Sequence, residues 1–94
     1  MNTHDQQRFE FLYQQHLTNL TLQGKRPATI DAYSRAVRRL SAFFDRSPDT
    51  MTTADLKQYF ASLIATHSWS TVKLDRNGLQ FFYRYTLDRQ WEWL

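Results

Sequence analysis

The sequence predicts an all-α fold, a small four-helix bundle. Two observations carry that expectation. Apolar residues recur every three or four positions in four separate stretches, the spacing of a buried helical face, and no stretch shows the strict alternation of a half-buried strand. Glycine is confined to Gly24 and Gly78, so a fold rich in tight hairpins has little to turn on. The chain has 94 residues, which suits one compact domain with a modest core.

The first helix is expected over about 3–23, because Phe9, Leu12, Tyr13, His16, Leu17 and Leu20 share a face. Thr3 or Asp5 can cap its start and Gly24 its end. His16 reads as a packing or hydrogen-bonding residue rather than a metal ligand, since no second ligand sits at helical spacing. The second helix is expected over about 28–45, with Pro27 in its first turn. Ile30, Tyr33, Val37, Leu40 and Phe44 give it the strongest period in the chain, with Ala36 and Phe43 on the flanks. Arg35, Arg39 and Arg46 project away from that stripe, and Asp31 can pair with Arg35 one turn on.

Residues 46–52 read as a loop. A third helix is expected over about 53–66, capped by Thr52, with Asp55 favouring its positive end and Leu56, Tyr59, Phe60, Leu63 and Ile64 facing inward. Ser70 is expected to cap a fourth helix over about 71–87. Its Val72, Leu74, Leu79, Phe81, Phe82, Tyr83 and Tyr85 predict burial almost all round. Gly78 costs that helix about 1 kcal/mol relative to alanine and marks a close helix crossing. The ending Trp91-Glu92-Trp93-Leu94 is aromatic enough to pack on the domain or on something beyond it.

Composition excludes much. There is no cysteine, so disulfides and cysteine metal sites are ruled out, and a cytoplasmic protein is expected. No apolar run approaches a membrane span and the first residues do not resemble a signal peptide. Enzyme chemistry lacks a constellation. There is no glycine-rich phosphate loop and no HExxH, the three histidines are scattered, and Ser68 and Ser70 beside His67 read as a capping sequence. No cofactor or metal is expected, and the chain reads as one that binds rather than catalyses.

Net charge is +3, but it is unevenly spread. Residues 25–46 carry +4 and residues 73–89 carry +2, so two non-adjacent basic segments can form one anionic-polymer footprint. On the fourth helix Lys73, Asn77, Gln80 and Arg84 follow i, i+4, i+7, i+11 and stack into one polar stripe. Lys and Arg suit phosphates or guanine, while Asn and Gln can pair with adenine's edge.

The order of residues resembles a known family. Lys25-Arg26-Pro27-Ala28-Thr29-Ile30-Asp31-Ala32-Tyr33, running on to Val37-Arg38-Arg39-Leu40-Ser41-Ala42-Phe43-Phe44, is similar to the opening of the core-binding domain of tyrosine recombinases, the phage-integrase family. Thr29 and Tyr33 match the family's Thr and Tyr. Pro27-Ala28 stands where Ser-Pro or a similar pair is usual, so the capping serine is lost. Met51 to Phe60 looks like the family's third helix and Ser70 to Tyr85 like its fourth. The ending Trp91-Glu92-Trp93-Leu94 resembles the exit of integron-type integrases, where proline often replaces Glu92. The resemblance covers about residues 8–94.

It implies a SAM-like bundle that clamps one face of double-stranded DNA while a separate catalytic domain cuts and rejoins strands. Residues 1–94 would then be a single non-catalytic domain, an excised domain or truncated gene product, with DNA and other recombinase protomers as partners and no membrane. It further implies that the second and fourth helices approach the major groove. Lys25, Arg26 and Thr29 would hold phosphates at the start of one, and Ser70, Thr71 and Lys73 at the start of the other. Asn77, Gln80 and Arg84 would extend along the groove, with Arg38 and Arg76 at its margins. The alternative is a helical protein-interaction module, with the aromatic tail as its contact surface.

Overall fold

The computed structural model describes residues 1–89. Four helices run in chain order: α1 (Thr3–Leu22), α2 (Pro27–Phe44), α3 (Thr53–Thr66) and α4 (Trp69–Phe81). A short 3-10 turn (Pro48–Thr50) lies between α2 and α3, and α4 runs on into a π-helical turn (Phe82–Thr86). There is no strand among the described residues, and none of their helices is long and apolar enough to cross a membrane. The fold is the expected all-α bundle.

Local chemistry sets the helix ends. Asn2, not Thr3 or Asp5, caps α1, its Oδ1 accepting the Asp5 N–H at 2.8 Å. At the other end Gly24 has φ +70°. The Lys25 N–H reaches Leu20 O and the Gly24 N–H reaches Thr21 O, the paired bonds of a left-handed C-terminal cap. Arg26 occupies the N-cap of α2 and makes no side-chain capping bond, with Pro27 just inside. Proline needs no partner there. Thr52 and Asp55 cap α3 reciprocally. Ser68 caps α4 by accepting the Thr71 N–H, so the helix begins two residues earlier than expected. Ser68 and Ser70 have the same capping chemistry. Capping at Ser68 puts two more residues in the helix, and propagation adds about one backbone bond per residue.

The core is built by α2 packed on α4, with α1 against α2 and the π turn and α3 against α4. Leu20, Val37, Leu40, Leu79 and Phe82 are fully buried, as is His16. Gly78 makes the α2–α4 crossing possible: a Cβ there would meet the Cβ of Ala36 and the Cα of Tyr33.

Several expected faces are corrected. Tyr33 and Phe44 are only half-buried, because Tyr33 borders an open pocket and Phe44 is the last residue of α2. Ile64 is exposed on α3, whose inward positions near its end go to Phe60 and Leu63. Burial of α4 is incomplete, for Leu74 and Tyr85 are exposed while Asp75 is buried. Asp75 can turn inward because its Oδ2 accepts from Arg39 at 2.7 Å and from the Tyr59 hydroxyl at 3.1 Å. A buried carboxylate persists only with such partners. Arg39 is therefore spent on the core edge rather than projecting from α2. Burial and the neighbouring Asp75 charge push the Tyr59 phenol well above its ordinary value.

The loop after α2 is also more ordered than its composition suggests. Ser47, Pro48 and Asp49 are buried. Asp49 accepts from the Ser47 hydroxyl and pairs with Arg8 of α1. The Tyr83 hydroxyl donates to Pro48 O at 2.6 Å and Arg89 donates to Asp49 O at 2.8 Å. These bonds fasten the end of the α4 segment to the loop. The aromatic ending, Trp91-Glu92-Trp93-Leu94, lies outside the described residues.

Candidate nucleic-acid interface

Four of the sequence-expected residues converge. Lys25, just before α2, and Asn77, Gln80 and Arg84, along α4 and its π turn, line one shallow pocket of about 220 Å³. The spacing of Asn77, Gln80 and Arg84 puts them on one side of the helix axis, and the α2–α4 crossing brings Lys25 to the same place. Arg84 stays with the group although the helix has passed from α to π.

The remaining pocket wall is aromatic, formed by Tyr33, Phe81 and Tyr85. Phe81 and Tyr85 lie 4.5 Å apart, centroid to centroid, and tilted by 35°. Lys25 Nζ sits over the Phe81 ring at 5.9 Å, and the Arg84 guanidinium carbon over the Tyr85 ring at 5.6 Å. Such contacts hold a cation over a ring face while leaving its donors available. Sequence reasoning missed this aromatic wall because ring periodicity alone assigned it to the core. The one available signal was Arg84, which adjoins Tyr85 and lies three residues after Phe81.

The other candidates are spread around this pocket. Arg26 is exposed at the α2 N-cap and Thr29 is half-buried in the first turn. Ser70 and Thr71 fall inside the first turn of α4, and the Thr71 N–H is taken by Ser68. Thr71 lines a separate groove with Arg35, Arg39 and Asp75. Lys73 is exposed and Arg76 half-buried, and neither lines the Lys25–Arg84 pocket. Arg38 lies over the Tyr13 ring of α1 at 5.9 Å, on the α1 side of α2.

Ion pairing separates the arginines into two groups. Arg8, Arg35, Arg39 and Arg46 are committed to Asp49, Asp31, Asp75 and Asp55. Arg46 also bonds the α3 cap, and the backbone N–H of Thr52 is the leading cause holding the Asp55 carboxyl below its ordinary value. Among the described residues no carboxylate pairs with Lys25, Arg26, Lys73, Arg76 or Arg84. Unneutralised cations are the ones able to displace counterions from a polyanion.

His16 lies behind the pocket. Its Nε2 is 3.1 Å from Tyr33 O, and its ring meets Phe81 and Phe82 edge-on. Burial lowers its pKa to about 4, so the imidazole is neutral near pH 7. It is a packing residue, as expected. No group of three or more His, Cys, Asp or Glu able to hold a metal occurs among the described residues.

A family model described as the phage integrase N-terminal SAM-like domain matches residues 12–93. No curated protein and no solved structure matches the chain.

Proposed function

The chain belongs to the phage integrase N-terminal SAM-like domain family, and from that premise we propose that it binds double-stranded DNA in site-specific recombination. It acts as the non-catalytic, DNA-positioning domain of a tyrosine recombinase, with cutting and rejoining done by a separate catalytic domain and with other protomers as partners. The observation that carries this reading is the convergence of Lys25 and Arg84, which no carboxylate among the described residues takes, with Asn77 and Gln80 on one open surface. Cations supply sequence-blind affinity, and amides and guanidinium can address base edges. Closer kinship to integron-type integrases belongs to the same proposal and rests on Trp91-Glu92-Trp93-Leu94.

One specific observation favours a second reading, a protein-interaction module. Phe11 and Leu22 are 64% and 76% exposed on α1, which leaves apolar surface for a partner. A salt titration of binding to a short DNA duplex separates the two. One domain of a two-domain clamp should bind at roughly 10⁻⁴ to 10⁻⁶ M near physiological salt, and weaken steeply as salt rises. Affinity that does not change with salt removes the electrostatic premise and favours the apolar partner.

A further inference from the structure

We infer that the π-helical turn after α4 is a specificity device, in which Asn19 and Tyr85 hold Arg84 as a planar fork for guanine. The inference rests on the duplex-binding reading above and names what one part of that surface recognises.

The turn is a departure from the α-helix that re-aims side chains and changes which carbonyls are bonded. The Leu87 N–H donates to Phe82 O at 3.3 Å, five residues back. Asn19 of α1 closes on the turn from outside it. Its Nδ2 donates to Tyr85 O at 3.3 Å and to Thr86 Oγ1 at 3.1 Å. α1 thereby pins the backbone that carries Arg84 and Tyr85.

The side chains are stacked in series. Phe81 is buried, with its ring 5.9 Å from that of His16 and 6.2 Å from that of Tyr33. Tyr85 lies against Phe81, and the Arg84 guanidinium lies over Tyr85. At 5.6 Å from the ring centroid the guanidinium is within cation–π reach, which leaves its N–H edge available. Among the described residues no carboxylate takes that edge. Phosphate accepts such a fork too, but Asn77 and Gln80, which share the pocket with Arg84, are amides suited to base edges. A fork restrained by the ring and by the pinned backbone, beside those amides, matches two acceptors in fixed relation, the O6 and N7 of guanine in the major groove. Asn19 and Tyr85 are positioning residues, and Arg84 is the contact.

The test uses the 94-residue chain and three alternating purine–cytosine duplexes, whose purine is guanine, hypoxanthine or 7-deazaguanine. Hypoxanthine keeps O6 and N7 and loses only the minor-groove amino group. 7-Deazaguanine loses N7. Affinities are read by fluorescence anisotropy at low ionic strength, with far-UV spectra checking that each variant is folded. The guanine and hypoxanthine duplexes should bind alike and the 7-deazaguanine duplex about fivefold more weakly, the low end of a base-specific contact. Tyr85→Phe should keep that ratio, while Tyr85→Leu and Asn19→Ala should bring it close to one. Equal binding of the guanine and 7-deazaguanine duplexes, with steep salt dependence, overturns the guanine assignment and leaves DNA binding standing. A ratio that survives Tyr85→Leu overturns the positioning role. Absence of salt-sensitive binding to every duplex overturns the underlying reading and this inference with it.

Discussion

A Cβ placed on Gly78 of α4 would lie 3.0 Å from the Cα of Tyr33 on α2. The contact is with backbone, which cannot rotate aside, and the same Cβ would stand 3.0 Å from the Cβ of Ala36. The two helices that carry the candidate interface therefore touch through the absence of a side chain. Lys25 and Arg84 owe their proximity to that approach.

Gly78→Ala sets two effects against each other. Alanine favours the helix by about 1 kcal/mol, whereas overpacking costs about 1–3 kcal/mol. With backbone on the opposing side the second should win, and urea denaturation should show a net loss of stability. A variant more stable than the parent would show that α2 can move away at little cost.

Leu40 has no exposed surface, and its neighbours belong to the α2–α4 core. Leu40→Ala should cost about 2–5 kcal/mol, the range for a fully buried leucine. Chemical denaturation measures it directly. A loss well below about 1 kcal/mol is incompatible with the observed face of α2.

His16 should make stability depend on pH. Its pKa in the folded protein is lowered to about 4 from an ordinary 6.5. The unfolded chain therefore takes up the proton first as pH falls. Stability should decline once pH drops below 6.5 and the loss should be complete below about 4, amounting to roughly 3 kcal/mol. His16→Gln should flatten that part of the profile whatever it does to the absolute stability. Parallel profiles for parent and variant would falsify the assignment.

The Arg39–Asp75–Tyr59 group predicts an order of effects. Tyr59→Phe removes one hydrogen bond and leaves Asp75 with Arg39, at about 0.5–1.5 kcal/mol. Asp75→Ala strips both donors of their acceptor and should cost more, about 1–3 kcal/mol. Thermal unfolding of the two variants decides the order. A larger loss for Tyr59→Phe would mean that the phenol, not the carboxylate, organises the group.

Division of labour along the interface is testable in a recombinase carrying this domain. Lys25, Arg26 or Lys73 replaced by alanine should weaken all duplexes alike and lower the salt slope by about one. Asn77, Gln80 or Arg84 replaced by alanine should cost about 1–3 kcal/mol on the cognate site and much less on random DNA. Equal losses on both for all three would show that the stripe reads no sequence. Chemical-shift changes confined to α1 and α3 on adding DNA would move the interface elsewhere.

The four helices, most of their inner faces and the shared side of Asn77, Gln80 and Arg84 are legible in the sequence. These features follow from short-range periodicity and capping, which act within a few residues of one another. Leu56, Tyr59, Phe60 and Leu63 of α3 were legible for that reason, as was the Thr52–Asp55 cap. Between two serines of equal capping chemistry, Ser68 and Ser70, local rules had no basis for choosing. The tertiary structure alone decided which charges are paired among the described residues. Arg39 and Arg84 look alike in sequence, but Arg39 meets Asp75 across the α2–α4 contact while Arg84 lies over a ring and pairs with no carboxylate among the described residues. It also decided that Tyr33, Phe81 and Tyr85 border an open pocket beside Lys25, and that Asn19 on α1 grips the turn bearing Arg84. Each of these depends on which residues distant in the chain come within a few ångströms, a distance that the crossing of packed helices sets and helical periodicity does not contain.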